Sequence, residues 1–251
     1  MKRAIIFLLA LMICPVAAQA QITRDQAISE FVQGNLSYKE GDFDRAIEKY
    51  EGILTGGKAS GSLYYNLANT YYRKGKLGKA IVNYERAKRM LPRDGDVNFN
   101  IDYARSKANL FGGEIGKGVL SRMIDEHISF YSEREMMQII VMLAAALATL
   151  HLLSLYLRLT KVTVKPLIAL LSLLVLIFVA GLAFKLKNED AQAIALIKGE
   201  AKFEPRQEAT THFKVLEGDK LKVIKEEEEW VKIQRADGKL GWMPRQEIEK
   251  I

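Results

Sequence analysis

Two stretches decide the fold: MMQIIVMLAAALATLHLLSLYL (136–157) and PLIALLSLLVLIFVAGLAF (166–184), joined by RLTKVTVK (158–165). Each apolar run has about twenty residues, the length that an α-helix needs to cross roughly 30 Å of hydrocarbon. Neither run contains Asp, Glu, Lys or Arg. Core helices of soluble proteins are seldom apolar around their whole circumference for this length. The sequence therefore predicts a hairpin of two transmembrane helices.

The link at 158–165 predicts how this hairpin is oriented. It carries Arg158, Lys161 and Lys165 and no acidic residue. Short basic loops stay on the cytoplasmic side of the membrane. We therefore expect the two soluble portions, before and after the hairpin, to lie on the opposite, extracytoplasmic side of the membrane.

The first residues of the chain agree with export. Residues 1–20 begin with Lys2 and Arg3, continue with the apolar run AIIFLLALMIC, and end in an Ala-Gln-Ala cleavage site. This pattern predicts a secretory signal peptide. The alternative is lipidation at Cys14, but a bulky isoleucine precedes that residue. Because Cys14 is the only cysteine, the processed chain would have neither disulfides nor a cysteine nucleophile.

A repeat with a period of about 34 residues precedes the hairpin, at 27–60 and 61–94. The aligned segments are GNLSYKEGDFDRAIEKYEGIL (34–54) and ANTYYRKGKLGKAIVNYERAK (68–88), with the recurring pairs Gly34/Ala68, Gly41/Gly75, Ala46/Ala80, Ile47/Ile81 and Tyr50/Tyr84. The period and these residue types resemble the tetratricopeptide repeat, a helix–turn–helix unit. We expect Tyr50 and Tyr84 to fill the space between neighbouring helix pairs.

Two repeats leave an apolar face open, so a covering element is expected after them. Residues 95–110 predict a capping helix. The side chains expected to pack on the second repeat are Phe99, Ile101, Tyr103 and Ala104. The first half of a degenerate third repeat is the alternative reading of this segment.

Tetratricopeptide repeats usually bind peptides or helices on the concave face that their first helices form. By repeat register, this groove would be lined by Phe31, Asn35, Tyr38, Lys39, Tyr65, Asn69, Tyr72 and Arg73. Each repeat thus offers an Asn with a basic residue four positions later, which suits a backbone group or a carboxylate. The aromatic side chains would supply buried area for such a partner. The alternative is that the Asn and Lys or Arg side chains only solvate the groove.

A juxtamembrane segment at 111–135 joins the repeats to the hairpin. Its apolar residues at helical spacing are Leu120, Met123, Ile124, Ile128 and Tyr131, which suits a helix along the membrane interface. His127 has no second histidine at ligand spacing, so no metal site is expected there. His151 lies within the first apolar run, where we expect an interhelical hydrogen bond rather than a proton relay.

After the short charged link KLKNEDAQ, the hydrophobic period changes to two, and residues 191–251 predict a small β domain. Asp237-Gly238 marks a hairpin turn. The order of strands and turns resembles a bacterial SH3-like barrel, and the matching residues are Leu216, Gly218, Leu221, Val223, Trp230, Val231, Ile233, Gly238, Gly241, Trp242 and Ile248. Trp230 and Trp242 either line a binding groove or belong to the core.

Several function classes are disfavoured by composition. The net charge of +7 is dispersed, and residues 191–251 hold twelve basic and twelve acidic side chains, so no domain has the basic face that nucleic acid requires. Two spans with so few polar residues cannot line a transport path. Three scattered histidines and no Gly-rich phosphate loop argue against an enzyme, and no catalytic, cofactor or metal site is expected.

The full order of segments resembles the BatE family, the repeat proteins of bacterial aerotolerance (Bat) operons. The predicted class is multidomain: a tetratricopeptide repeat domain, a two-span helical hairpin and an SH3-like barrel. The resemblance implies partners among von Willebrand factor A-domain membrane proteins and a BatD-type protein. The resulting hypothesis is a non-enzymatic inner-membrane adaptor that binds proteins through its repeats. The alternative is a cell-envelope anchor that binds peptidoglycan through the SH3-like domain.

Overall fold

The computed structural model describes residues 22–108, 123, 126–156 and 161–251. The predicted signal peptide and the lipidation alternative at Cys14 lie outside these residues. So do Leu120 and Ile124 of the juxtamembrane stripe, the last two residues of the predicted capping segment, and residues 158–160 of the link. The chain divides into two compact units between Ala59 and Ser60.

The described part of the first unit is one helix–turn–helix pair, α1 Arg24–Glu40 and α2 Phe43–Thr55. Thr23 and Gln26 form a capping box at the start of α1, which satisfies two otherwise unpaired backbone N–H groups. Gly41 ends α1 with φ 83°, a conformation that favours glycine. The two helices are then free to pack against each other as a pair.

The same template opens the second unit and is followed by a further helix. The helices are α3 Gly61–Arg73, α4 Leu77–Met90 and α5 Gly95–Lys107. Gly75 takes φ 72° in the turn that separates α3 from α4. Ala68 and Ala80 are fully buried, because only small side chains allow these helices to approach closely.

The tyrosines of the two repeats each contact the first helix of their own pair, and the expectation that they fill the space between neighbouring pairs stays a prediction. The Tyr50 hydroxyl donates to Asn35 Oδ1 at 2.7 Å, and a Cβ added to Gly34 would lie 2.5 Å from the Tyr50 ring. In the second repeat the Tyr84 hydroxyl donates to Asn69 Oδ1 at 2.5 Å. The physical reason is that the first helices carry a small residue, Gly34 or Ala68, beside the tyrosine. This leaves room for the ring that comes from the second helix.

Two long apolar helices follow, α6 Glu133–Tyr156 and α7 Lys161–Asp190, and both are long and apolar enough to cross a membrane. Their less exposed side chains recur at alternating spacings of four and three: Met136, Ile140, Leu143, Leu147, Leu150 and Ser154 on α6, and Val164, Ile168, Leu171, Val175, Phe178, Leu182, Lys185 and Glu189 on α7. This is the spacing of an interhelical seam. A Cβ on Gly181 would lie 3.3 Å from Met136 Cε, so the helices run antiparallel.

Helix α7 is longer than the apolar run that predicted it. It begins at Lys161, inside the predicted link, and continues to Asp190. The charged link expected after Phe184 is therefore helical as far as Asp190. Most of its residues are Lys, Leu and Glu, which are good helix formers, and Lys185 and Glu189 lie one turn apart with a nitrogen–oxygen distance of 3.8 Å.

The rest of the chain is a small antiparallel domain. Its strands are β1 Gln192–Ala195, β2 Gly199–Lys202, β3 Thr211–Val215, β4 Lys220–Glu227, β5 Trp230–Gln234, β6 Leu240–Pro244 and β7 Ile248–Lys250, in the sheet order β3-β2-β6-β5-β4-β1-β7. A short 3₁₀ helix, Arg245–Glu247, precedes β7. Val231 and Ile233 lie in the core, and Gly238 takes φ 86° in the β5–β6 turn, as the sequence predicted. The predicted fold class is thus confirmed.

Candidate functional site

The predicted groove residues of the first repeat lie on one side of α1. The rings of Phe31 and Tyr50 are 6.0 Å apart, and the rings of Tyr38 and Phe43 are 5.7 Å apart. Both Phe31 and Tyr38 are half-buried, whereas Lys39 is exposed. The first unit therefore offers aromatic edges and a cation, while the carbonyl oxygen of Asn35 accepts from Tyr50.

The equivalent residues of the second repeat are held by the following helix. Asn100 on α5 donates to the Tyr65 hydroxyl at 2.8 Å and to Asn69 Oδ1 at 3.2 Å. The Asn69 oxygen thus accepts from both Tyr84 and Asn100. Both bonds use the amide oxygen of Asn69, and through them the asparagine anchors α4 and α5 to α3. Its role in holding a backbone group or a carboxylate of a partner stays a prediction.

The apolar and aromatic side chains of α5 lie on two different faces of the helix. Val97, Ile101 and Ala104 are buried against the second repeat, but Phe99 is 69% exposed and Tyr103 is 45% exposed. Residues 97, 101 and 104 fall on one helical face, and Phe99 and Tyr103 fall outside it, because successive residues turn by about 100°. The prediction that Phe99 packs on the second repeat is therefore wrong, whereas Tyr103, although partly exposed, contacts this repeat at Tyr72.

The repeat register indicates where Phe99 and Tyr103 lie. Phe99 and Tyr103 come one repeat period after Tyr65 and Asn69, so they occupy the same register positions. The rings of Tyr72 and Tyr103 are 5.9 Å apart. Burial, followed by the hydrogen bond with Tyr103, raises the pKa of Tyr72. The groove side of the second unit thus includes α5 as well as α3.

The opposite side of the second repeat is covered by the β domain. The backbone N–H of Gly78 donates to Glu217 Oε1 at 2.8 Å. A Cβ on Gly78 would lie 2.7 Å from the carbonyl oxygen of Ala195. Arg86 donates to Glu249 Oε1 at 2.8 Å and to the carbonyl of Lys250 at 2.7 Å. Helix α4 is consequently enclosed on most of its circumference.

A buried acid links three elements at this contact. Glu85 on α4 is 6% exposed and pairs with Arg105 on α5 and with Lys220 on β4. Burial alone would raise the pKa of the Glu85 carboxyl, but Lys220 and Arg105 together lower it below its usual value. The carboxylate is therefore charged at neutral pH and holds the β domain and α5 to the same helix.

Further ion pairs connect the second repeat to the ends of the apolar helices. Arg93 pairs with Glu135 at the start of α6 and donates to the carbonyl of Phe130 at 2.9 Å. Arg89 donates to the carbonyl of Glu189 on α7 at 3.0 Å. The buried Lys185 donates to the carbonyl of Tyr131 at 2.5 Å. The start of α6, the end of α7, the second repeat and the β domain thus meet at one end of the hairpin.

The two tryptophans of the β domain differ in exposure. Trp242 is 8% exposed, with Lys232 Nζ 5.7 Å from its ring centroid, whereas Trp230 is half-buried and pairs in register with Pro244. They lie on neighbouring strands but are not direct partners. The same domain has an exposed aromatic pair that the sequence analysis did not predict. The rings of Phe203 and His212 stack with 4.2 Å between their centroids.

The other two histidines, His127 and His151, lie before the β domain in different surroundings. His151 lies on the exposed side of α6, away from the seam, so the expected hydrogen bond to the described part of α7 is not formed. The ring of His127 lies 6.0 Å from that of Tyr131. Within residues 22–108, 123, 126–156 and 161–251, no group of three His, Cys, Asp or Glu side chains is placed to hold a metal ion.

Comparison with protein families assigns two of these regions. Residues 61–94 match the tetratricopeptide repeat, and residues 203–249 match the bacterial SH3 domain. No curated protein matches the chain. The chain therefore combines a tetratricopeptide repeat, two apolar helices that are able to span a membrane, and a bacterial SH3 domain.

Proposed function

We propose that the chain is a non-enzymatic membrane adaptor that binds partner proteins on the groove side of its repeats. The observation that carries this proposal is the asymmetry of the second unit. The β domain covers the outer side of α4, whereas the groove side presents the rings of Tyr72, Phe99 and Tyr103. Tetratricopeptide repeats serve protein–protein interaction, and aromatic side chains are enriched in interface cores.

The proposed location is the bacterial inner membrane, with the repeats and the β domain on the periplasmic side. The basic link at 158–165 favours this orientation. The pairs Arg93–Glu135 and Arg89–Glu189 support it too, because they hold the second repeat to the hairpin end opposite the link. The second repeat and the β domain would then face the same compartment.

Single-cysteine labelling of the full chain tests this orientation. In a Cys14→Ser background, we place one cysteine at Lys222 on β4 and, separately, one at Lys165 near the start of α7; both lysines are exposed. A membrane-impermeant maleimide applied to cells with a permeabilised outer membrane should label the first variant. The second should react only after the inner membrane is opened. The reverse pattern would contradict the topology and the periplasmic adaptor with it.

The partner-binding role is tested by photocrosslinking in native membranes. A benzophenone amino acid replaces Arg73 on the groove side or, as the matched control, Lys222 on the β domain. The groove position should form a discrete adduct with another protein that the control position does not form. Adducts from the control position alone would place the partner on the β domain instead.

The resemblance to the BatE family extends the proposal to the identity of the complex. It suggests a Bat-type envelope stress or aerotolerance assembly, with von Willebrand factor A-domain membrane proteins and a BatD-type protein as partners. Mass spectrometry of the Arg73 adduct tests this directly. Recovery of unrelated proteins in place of these classes would remove the Bat assignment and leave the adaptor role standing.

A second candidate function is anchoring to peptidoglycan through the β domain. The match of 203–249 to the bacterial SH3 domain favours it, as does the exposed stack of Phe203 on His212. The contacts with α4 use β1, β4, β7 and the turn before β4, which leaves Phe203 and Trp230 outside that interface. Detergent-solubilised full chain should pellet with purified sacculi, and Trp230→Ala or Phe203→Ala should reduce the pelleted fraction. Equal recovery with and without sacculi would reject this function.

A further inference from the structure

Few side chains in the two apolar runs can form hydrogen bonds. Those that the structure describes are Gln138, Thr149, His151, Ser154, Tyr156 and Ser172. Thr149 donates to the carbonyl of Ala145 at 2.8 Å, and Ser154 donates to the carbonyl of His151 at 2.7 Å. Among these side chains, the imidazole of His151 is the exposed one that lies away from the helix ends and forms no hydrogen bond with another described residue.

His151 lies inside the hydrocarbon when α6 crosses the membrane. At about 1.5 Å per residue, it is about 22 Å along the helix axis from Met136, where the apolar run begins, and about 8 Å from Tyr156. The imidazole lacks the long stem with which Lys and Arg side chains reach the membrane surface. Because hydrocarbon offers no hydrogen bonds, the ring requires a partner from another protein group.

His151 shares one face of α6 with two small residues. Successive helix residues turn by about 100°, so six residues fall within about 80° of one another. We call them the outer face of α6: Met137, Val141, Ala144, Ala148, His151 and Leu155. All six are exposed, so α7 does not cover this face, and none of them is charged.

The two alanines of the outer face lie next to the histidine. Ala144 and Ala148 are one turn apart, and Ala148 is three residues before His151. Small residues four positions apart allow the backbones of two membrane helices to approach closely. A second helix that packs on these alanines therefore comes within reach of the imidazole, which can then form an interhelical hydrogen bond.

A second copy of the chain matches the hydrogen-bonding chemistry of the outer face. A neutral imidazole carries one N–H donor and one nitrogen acceptor, so the His151 rings of two copies are able to pair with each other. Two copies with the same topology are related by a twofold axis along the membrane normal, which places each residue at the depth of its equivalent. Since the outer face carries no charge, two identical faces do not repel each other.

We propose that the hairpin dimerises in the membrane through the outer face of α6, with the His151 rings of the two copies hydrogen-bonded to each other and Ala144 and Ala148 at the close approach. This inference goes beyond the proposed adaptor function and rests on its placement of the hairpin in the membrane. The dimer presents two repeat domains and two β domains on one side of the membrane. A partner with two binding segments would therefore be held with avidity.

Disulfide crosslinking in native membranes tests which face of α6 meets the second copy. In the Cys14→Ser background, Ala148→Cys places a thiol on the outer face, and Ala146→Cys places one about 160° around the helix. Both alanines are exposed and lie at nearly the same depth. Under mild oxidation, Ala148→Cys should form a covalent dimer of the full chain in about fivefold higher yield, because a disulfide requires Cβ atoms about 4 Å apart.

Sedimentation equilibrium of the full chain in detergent micelles tests the role of the imidazole. His151→Leu should weaken the dimer by about three- to twentyfold, the range found for hydrogen bonds between membrane helices. His151→Gln restores one donor and one acceptor group and should stay within about threefold of wild type. Thr149→Val is the matched control and should stay within about twofold, because its hydroxyl already donates to the carbonyl of Ala145. Circular dichroism should show equal helicity in all three variants.

Several results would overturn the proposal. These are a wild-type chain that stays monomeric, equal crosslinking of Ala146→Cys and Ala148→Cys, or equal association of His151→Leu and wild type. A disulfide between Ala148→Cys and another protein, without a covalent dimer, would show that a transmembrane helix of a partner covers the outer face instead. The membrane placement fails separately, since alkaline extraction would then release the chain from membranes. The adaptor function also fails separately, because the Arg73 photocrosslinker reports on the groove of monomer and dimer alike.

Discussion

The second helices of the two repeats share one template but lie in different surroundings. On α2 the buried residues are Ala46, Tyr50 and Ile53, and the other side of the helix is more exposed. On α4 the buried residues are Gly78, Ala80, Ile81, Val82, Asn83, Tyr84, Glu85 and Ala87. At equivalent positions of the two repeats, Glu51 is exposed while Glu85 is buried. The repeat pattern defines which face packs within a pair, but it does not determine what covers the other face.

Bulky substitution of the central alanine should have the largest effect. Ala46 and Ala80 are both fully buried, so a tryptophan at either site has no room and should cost more than about 3 kcal/mol. Ala46→Trp should disrupt the first unit. Ala80→Trp should also loosen the β domain, because α4 carries its contacts. Hydrogen exchange should then rise in β1 and β7 for Ala80→Trp only, and equal protection of these strands in both variants would refute the coupling.

Each repeat can be given the residue that the other repeat has at the position of Asp44 and Gly78. In the second repeat this exchange should disrupt the contact with the β domain without unfolding the repeat. The first repeat has Asp44 where the second has Gly78. Gly78→Asp would force a side chain to within 2.7 Å of the Ala195 carbonyl oxygen and beside Glu217, at a cost of about 3 kcal/mol. Asp44→Gly should cost at most about 1 kcal/mol of helix stability. Thermal unfolding of both variants measures the difference, and equal costs would contradict the assignment of Gly78 to a close approach.

Neutralising the buried acid should have an intermediate effect. Glu85→Gln leaves Arg105 and Lys220 without their carboxylate and should cost about 2 kcal/mol. Glu51→Gln, at the equivalent but exposed position, should change stability by less than about 0.5 kcal/mol. Chemical denaturation of the two variants in the same detergent provides the comparison. If Glu51→Gln lowers the stability as much as Glu85→Gln does, the ion pairs of Glu85 with Arg105 and Lys220 are not the source of the loss.

The pH dependence of the unfolding free energy gives a further test of the role of Glu85. The folded-state pKa of Glu85 is lowered, so its ion pairs contribute stability above its unfolded pKa of about 4.3 and lose it as pH falls through the folded value. The stability gap between wild type and Glu85→Gln should therefore narrow below about pH 4. Denaturation midpoints between neutral and acidic pH measure this gap. A gap that widens with acidification would show that the carboxylate is not stabilised by these cations.

The smallest effect on stability, and a clear one on binding, is expected at the groove ends. Arg73 and Lys39 are exposed at the same register position of the two repeats. Arg73→Glu should weaken partner capture by about 1–3 kcal/mol, because Arg73 lies next to Tyr72 on the groove side of the second repeat. Lys39→Glu should weaken it less. Quantitative capture from native membranes, with helicity as the control, measures both, and a larger loss for Lys39→Glu would move the main site to the first repeat.

The groove was only partly predictable from its residue types. The repeat register placed Tyr65, Asn69 and Tyr72 on one side of α3, and they lie together there. The register did not indicate that Asn69 is engaged by Tyr84 and Asn100. Hydrogen-bond partners 15 and 31 residues away depend on how helices cross, which the repeat period does not encode.

Helix α5 shows the limit of a local pattern. Its apolar residues were all expected to face the second repeat, although Phe99 and Tyr103 lie off the face that Val97, Ile101 and Ala104 share. The segment has apolar or aromatic side chains on more than one face, so its amphipathic pattern is weak. Extension of the repeat register by one further period would have assigned both aromatics to the groove.

The sequence by itself determined the helix–turn–helix repeats, the two apolar helices and the small β domain, because these follow from periodicity, length and turn residues within one segment. Only the tertiary structure decided that the β domain covers α4, that a single residue separates α7 from β1, and that Glu85 is buried between Arg105 and Lys220. These contacts join residues 20 and 135 positions apart. Their formation depends on which surfaces meet when whole elements pack, and no local pattern carries that information.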